Sequence, residues 1–284
     1  MRKHRVLLYF VIVILLTLLN FYYRPISKNP LITDSYRKSE AYVNDLYKSD
    51  EFFKNHLSSK ESKRLYENIL ADIKSGKSSS DFLCQDCISY FREIHYALFL
   101  DHPELIAFQN AHASGNSQHI KYDYYRLSPL KAYLGTRRIA REMDIIRRET
   151  KKMSDKEKII YVYDYVAKHN YDYVFMYSNS NQSAYSFFTK GSSVCAGFAK
   201  ASQILFQNIG ISSYLVLSEE HMWNYVQYEG KYYVFDATMG TSSLYKSEHF
   251  YDGLGQTTIG EVTGLYAKYY PKIDETPLKE IFGL

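Results

Sequence analysis

Cys195 lies in GSSVCAGFAKASQILFQNIG, residues 191–210, a stretch that reads as a loop entering a helix. Phe198, Ala201, Leu205 and Ile209 recur at helical spacing, and Gly210 is a natural stop. With Ser193 as the expected N-cap, Cys195 falls in the first turn. There the positive end of the helix dipole and the unpaired backbone N–H groups favour a thiolate over a thiol. Ala196 and Gly197 are small, which predicts room for a substrate to approach the sulfur. A cysteine so placed unites a nucleophile with a backbone donor for an oxyanion.

Downstream, HMWNYVQY (221–228) and KYYVFDAT (231–238) flank Glu229-Gly230, the pattern of a two-residue β-hairpin. If Tyr228 faces Lys231, Trp223 opposes Asp236 and His221 opposes Thr238. His221 and Asp236 are then diagonal neighbours on one face, within reach of an imidazole–carboxylate hydrogen bond. Such a carboxylate fixes the imidazole tautomer and stabilises the imidazolium. Cys195, His221 and Asp236 together have the types needed for a thiol nucleophile, its base and the orienter of that base. Singly, each has an ordinary explanation as a small buried side chain, a surface histidine or a strand-end acid.

The elements that must position these groups belong to a chain of 284 residues, 46% hydrophobic, 23% charged and 17% aromatic. Those fractions exclude a disordered or collagen-like chain. Tyrosine is abundant, 30 residues against a single Trp, which suits an amphipathic aromatic surface or cleft. Three units of the +4 net charge come from Arg2, Lys3 and Arg5, leaving too little elsewhere for nucleic-acid binding. Residues 6–23, VLLYFVIVILLTLLNFYY, are long enough to span a bilayer, and the preceding basic residues orient the amino terminus toward the cytoplasm. An uncleaved signal anchor is favoured over a cleaved, secreted form because Arg24-Pro25, not a small-x-small site, follows. Either way the remainder is expected outside the membrane.

Residues 24–32 read as a tether, 33–74 as helical, and 75–81 (SGKSSSD) as a loop whose Ser80 or Asp81 caps a helix running to about Leu100. DHPEL at 101–105 breaks that helix, and strands are expected at 105–109 and 119–126. The helix predicted for 129–152 is basic, most simply a solvated face, with polyanion binding as the rival reading. Ser154 and Glu157 form a capping-box pattern before Ile159, Ile160, Val162, Tyr163 and Val166. The expected layout is a cytoplasmic tip, anchor and tether start at 1–28, a mostly helical extension at 29–150, a catalytic core at 151–262 and a tail at 263–284.

VCAGFAKA around Cys195, HMWN around His221, YYVFDAT around Asp236 and KIIYVYDYVAKHNYDY at 158–173 resemble the transglutaminase-like superfamily. DHPEL and YDYYRLS (122–128) resemble the amino-terminal extension of its membrane-anchored or secreted Gram-positive members. The resemblance implies an α+β, papain-like fold of helices packed on an antiparallel sheet. It makes Cys195 the nucleophile, His221 the acid and base, and Asp236 the orienting carboxylate, with Trp223 walling the site. Met222 and Met239 depart from the usual pattern, and the second oxyanion donor is not identifiable, Gln182 and Asn181 being weak candidates. The implied activity is an extracytoplasmic thiol enzyme forming a thioester from an amide, resolved by an amine (transglutaminase) or by water (protease or amidase). Its partners would be protein or cell-wall peptide substrates and the membrane. A non-catalytic module binding wall or host polymer is the alternative. No cofactor or metal is expected: calcium, used by some animal relatives, has no acidic loop here. Cys84 and Cys87 suit a disulfide or free thiols better than zinc, and His95, His102, His112 and His119 lie at no ligand spacing, as ordinary loop and surface residues.

Overall fold

The computed structural model describes residues 47–75, 77, 79–81, 87–106, 108–113, 119–124, 129–176, 178–241, 249–255 and 261–284. The anchor expected at 6–23, the helix expected between 33 and 46, and Cys84 lie outside them. Among the described residues no helix is long and apolar enough to cross a membrane.

Helices α1 (Phe52–Asn55), α2 (Lys60–Lys74) and α3 (Cys87–Asp101) open the described chain. A small antiparallel sheet accompanies them, formed by β1 (Ser79–Asp81), β2 (Phe108–Ala113) and β3 (His119–Tyr124) in the order β1-β3-β2. The 75–81 segment is therefore not all loop: Ser79, Ser80 and Asp81 pair with Lys121, Ile120 and His119. Neither Ser80 nor Asp81 caps α3, which starts only at Cys87; the Ser80 hydroxyl bonds Asp72 and the Asp81 carboxylate bonds His119. The expected strand at 105–109 begins later, at Phe108, because Leu105 and Ile106 turn into the core instead. His102 is buried rather than on the surface, with Nδ1 2.7 Å from the equally buried Glu104.

Helix α4 (Pro129–Glu149) is followed by α5 (Asp155–Ala167). The Ser154 hydroxyl accepts from Glu157 N and the Glu157 carboxylate accepts from Ser154 N, so the capping box is complete. The two-residue strands β4 (Asn170–Tyr171) and β5 (Ser192–Ser193) run parallel, bracketing α6 (Ala184–Lys190). Helix α7 (Cys195–Asn208) then leads to the antiparallel sheet of β6 (Ser213–Leu217), β7 (Met222–Tyr228) and β8 (Lys231–Phe235). The fold is α+β.

Residues 196–206 of α7 are all buried, because the helix runs between two cores. Phe198, Ile204, Leu205 and Phe206 face one core, with Val162 and Tyr163 of α5 and Phe235 of β8. Ala196 and Ala199 face the other, with Leu65, Ile69, Leu98 and Leu215. Each large apolar side chain so covered contributes about 1.5–3 kcal/mol. Asn224 of β7 ties the sheet to the helix through a buried bond from its Nδ2 to Ala199 O, 3.0 Å. The end of the chain closes the first core, where Leu278 and Phe282 of α8 (Leu278–Phe282) are buried.

The hairpin register matches the sequence expectation: Tyr228 faces Lys231 and Asn224 faces Phe235. Glu229 (φ 47°) and Gly230 (φ 77°) both take positive φ, as a tight turn joining right-twisted strands requires. β8 nevertheless stops at Phe235, and Ala237–Gly240 curls into a 3₁₀ turn. The cause is Asp236, whose carboxylate accepts from Thr238 N at 3.0 Å and caps that turn.

Candidate active site

Cys195 is the first residue of α7, and its N-cap is Val194, not Ser193. Ser193 is buried in β5, where its hydroxyl is committed to Asn181 O at 2.7 Å and to Ser186 Oγ at 2.6 Å. No side chain caps the helix, so its first N–H groups remain near the sulfur. Ala196 N–H and Met222 N–H both donate to Cys195 Sγ, with His221 the third partner. Burial pushes the thiol up, but the imidazole hydrogen bond, the imidazolium charge and the two N–H donors together hold it below its ordinary value. Gly197 is needed for packing rather than for substrate approach: a Cβ there would sit 1.9 Å from Ser193 Oγ.

His221 immediately precedes β7 and Asp236 immediately follows β8, so the hairpin brings both to one end of the sheet. His221 Nε2 lies 2.7 Å from Asp236 Oδ2, which leaves Nδ1 for the sulfur. Burial alone would lower the imidazole pKa, yet the bonds to Asp236 and Cys195 and their charges raise it to about 10. Both shifts favour the charged forms of thiol and imidazole, and the carboxylate behind them is almost wholly buried. Trp223 is buried and its ring stacks on His221, centroids 5.8 Å apart and planes 16° apart, which limits tilting of the imidazole. Asp236 is held in turn: its N–H donates to Gly253 O at 2.8 Å, and a Cβ on Gly253 would fall 1.8 Å from Asp236 O. The 251–255 segment therefore packs directly beneath the acid, a role the sequence did not signal.

Gln182 and Asn181 do not turn toward the sulfur. Gln182 Nε2 donates to Met176 O at 2.9 Å, and Asn181 Nδ2 donates to Asp172 Oδ2 and Phe175 O. The side chain that does reach Cys195 is Tyr171 of β4, placed by the β4–β5 pairing of Tyr171 with Ser193. Burial first, and then the neighbouring Cys195, raise the phenol to about 12. It therefore stays a neutral donor across the physiological range. As one of 30 tyrosines it carried no contrast in the sequence. A second unforeseen group is Lys200 of α7, fully buried, whose Nζ donates to Gln182 O at 2.9 Å and lies 4.0 Å from the centre of the Phe99 ring. Burial lowers its pKa to about 7. Among the described residues no group of three or more His, Cys, Asp or Glu side chains is arranged to hold a metal ion.

Residues 144–237 match the family model of the transglutaminase-like superfamily. No curated protein matches the chain. One similar solved structure is a crystal structure of a TGase, at 15% sequence identity and a TM-score of 0.34. That likeness covers 57% of this chain and 52% of the other, so the chain spans about half of that structure's length.

Proposed function

Taking as premise that residues 144–237 are a transglutaminase-like core, we propose that the chain is a thiol enzyme acting on amide bonds through Cys195. The observation that carries this reading is His221 bonded on one side to Cys195 and on the other to Asp236. The thiolate attacks a carboxamide or peptide carbonyl, and the C=O electron pair moves onto oxygen. The Cys195 N–H and the neutral Tyr171 phenol beside it donate to that oxygen. Collapse of the tetrahedral adduct breaks the C–N bond, and the imidazolium gives its proton to the departing amine or ammonia. The neutral imidazole then takes a proton from an amine or from water as either attacks the thioester, restoring the thiol and releasing a new amide or an acid. We place this site outside the cytoplasm, with residues 6–23 as the anchor and protein or cell-wall peptide as substrate, on the basis of the basic residues that precede that run.

The test is iodoacetamide alkylation of Cys195 from pH 4 to 9 in the full chain carrying Cys84→Ser and Cys87→Ser, with and without His221→Ala. Alkylation is expected well below the ordinary thiol pKa of ~8.5, with that limb lost in the His221 variant. A single titration near 8.5 in both proteins refutes the reading. Ammonia release from glutamine peptides, with and without a primary amine, then separates transfer from hydrolysis.

A further inference from the structure

Directly after Tyr171 the chain turns through Tyr173, Val174 and Phe175, which are 51%, 81% and 64% exposed. The other exposed large apolar side chains among the described residues, Leu134, Leu265, Ile281 and Leu284, are not adjacent to one another in sequence. The turn is held, not loose. The Asp172 carboxylate accepts from Val174 N at 3.2 Å, Phe175 N at 3.0 Å and Asn181 Nδ2 at 2.8 Å. Asn181 also donates to Phe175 O, and its own oxygen accepts from Lys190 Nζ at 2.9 Å. The half-buried Asp172 and buried Asn181 beneath the turn thus fix three largely apolar side chains in water, where each would ordinarily be driven inward.

The turn is also in register with the sulfur. Asp172 N donates to Ser193 O at 2.8 Å, two residues before Cys195. Tyr171 lies beside Cys195, the Tyr171 and Tyr173 ring centroids lie 4.8 Å apart, and Tyr173 leads into Val174 and Phe175. The exposed turn therefore begins within two residues of the tyrosine beside the sulfur, joined to it by a ring contact.

We infer that the 173–175 turn is a docking surface that seats an apolar or aromatic side chain of the acyl-donor peptide beside its reactive carboxamide. This inference rests on the thiol chemistry proposed for Cys195. A peptide occupant explains why the patch keeps a fixed relation to the sulfur, which attachment to a lipid surface does not need. Charge points the same way: residues 171–189 contain no Lys or Arg to meet anionic lipid, and Lys190 is engaged by Asn181.

The experiment uses the full chain with Cys195→Ala and two fluorescein-labelled peptides, each with one glutamine, flanked by Phe and Leu in one and by Ser in the other. Fluorescence anisotropy is expected to show the apolar-flanked peptide binding ~10-fold tighter or more, as for burial of one or two apolar groups in a fitted pocket. Val174→Ser with Phe175→Ser should reduce that advantage below about twofold, while Leu265→Ser, an exposed leucine elsewhere, should retain it. Equal binding of the two peptides, or an advantage that survives the double substitution, overturns the inference. So does a double variant that loses binding to phosphatidylglycerol vesicles while keeping the peptide preference. The alkylation profile involves no peptide, so the two readings fail separately. A normal thiolate limb without peptide preference sinks only the docking surface, and a preference without that limb sinks the thiol chemistry and the acyl-donor role of the bound peptide with it.

Discussion

The chemistry at Cys195 depends on which donors face it, and Tyr171 supplies what the sequence left open. In the mechanism proposed above, its hydroxyl is the second donor to the oxyanion, beside the Cys195 N–H. Tyr171→Phe removes that donor without changing the ring packing on Tyr173. A fall of ~10²-fold in kcat for acyl transfer is expected, the usual cost of losing one oxyanion donor. Iodoacetamide attack develops no oxyanion, so the His221-dependent alkylation limb should persist in the same variant. The proposed trio of Cys195, His221 and Asp236 could be picked out because cysteine and histidine are few and the hairpin register brings His221 and Asp236 to one end of the sheet. Tyr171 was not legible, since its role comes from a two-residue parallel pairing with Ser193 that has no pattern in the sequence. Gln182 and Asn181 illustrate the converse: both are near in sequence, yet their amides are consumed in holding the 173–176 backbone.

Elements with strong local chemistry were readable, and elements made by distant partners were not. The Glu229-Gly230 turn and the Ser154–Glu157 box are written within four residues each and form as expected. β1 is three polar residues with no apolar alternation, and only β3 makes it a strand. The end of β8 was misjudged because Asp236 serves at once as partner of His221 and as cap of the 237–240 turn. Residues 251–255 matter through one close approach, the Gly253 backbone against the Asp236 carbonyl. Gly253→Ala forces those atoms apart. It is expected to destabilise the fold by ~2–4 kcal/mol in urea unfolding, in the range of strained core substitutions, and to weaken the low-pH alkylation limb by displacing Asp236.

At the scale of the molecule, α7 is a shared wall between two cores, and Lys200 is the ionisable lysine buried in that wall beside Ser202 and Gln203. Its pKa of about 7 lies far below the ordinary lysine value, so between about pH 7 and 10.5 the unfolded chain holds a proton that the folded chain lacks. Stability therefore rises with pH across that window through Lys200. His221 acts in the opposite sense. Its pKa of about 10 means the folded chain keeps a proton that the unfolded chain has lost above 6.5, and stability is lost as pH climbs toward 10. The lowered thiol of Cys195 adds a contribution of the same sign as Lys200. Lys200→Met removes one of these opposed slopes. Relative to the variant, the parent chain should gain up to ~1.4 kcal/mol per pH unit between pH 7.5 and 10 in urea titrations. Parallel stability curves would show that Lys200 is ordinarily protonated in the folded state.

The packing of Gly253 under Asp236, and of Leu278 and Phe282 behind it, also sets an order of events during synthesis. Cys195, His221 and Asp236 leave the ribosome before the segment that seats the acid, so a nascent chain carries all three groups while its carboxylate still lacks the Gly253 support. The bond from Asp236 N–H to Gly253 O can form only once residues 251–255 have been made. An unfinished chain thus meets its surroundings with a comparatively quiet cysteine.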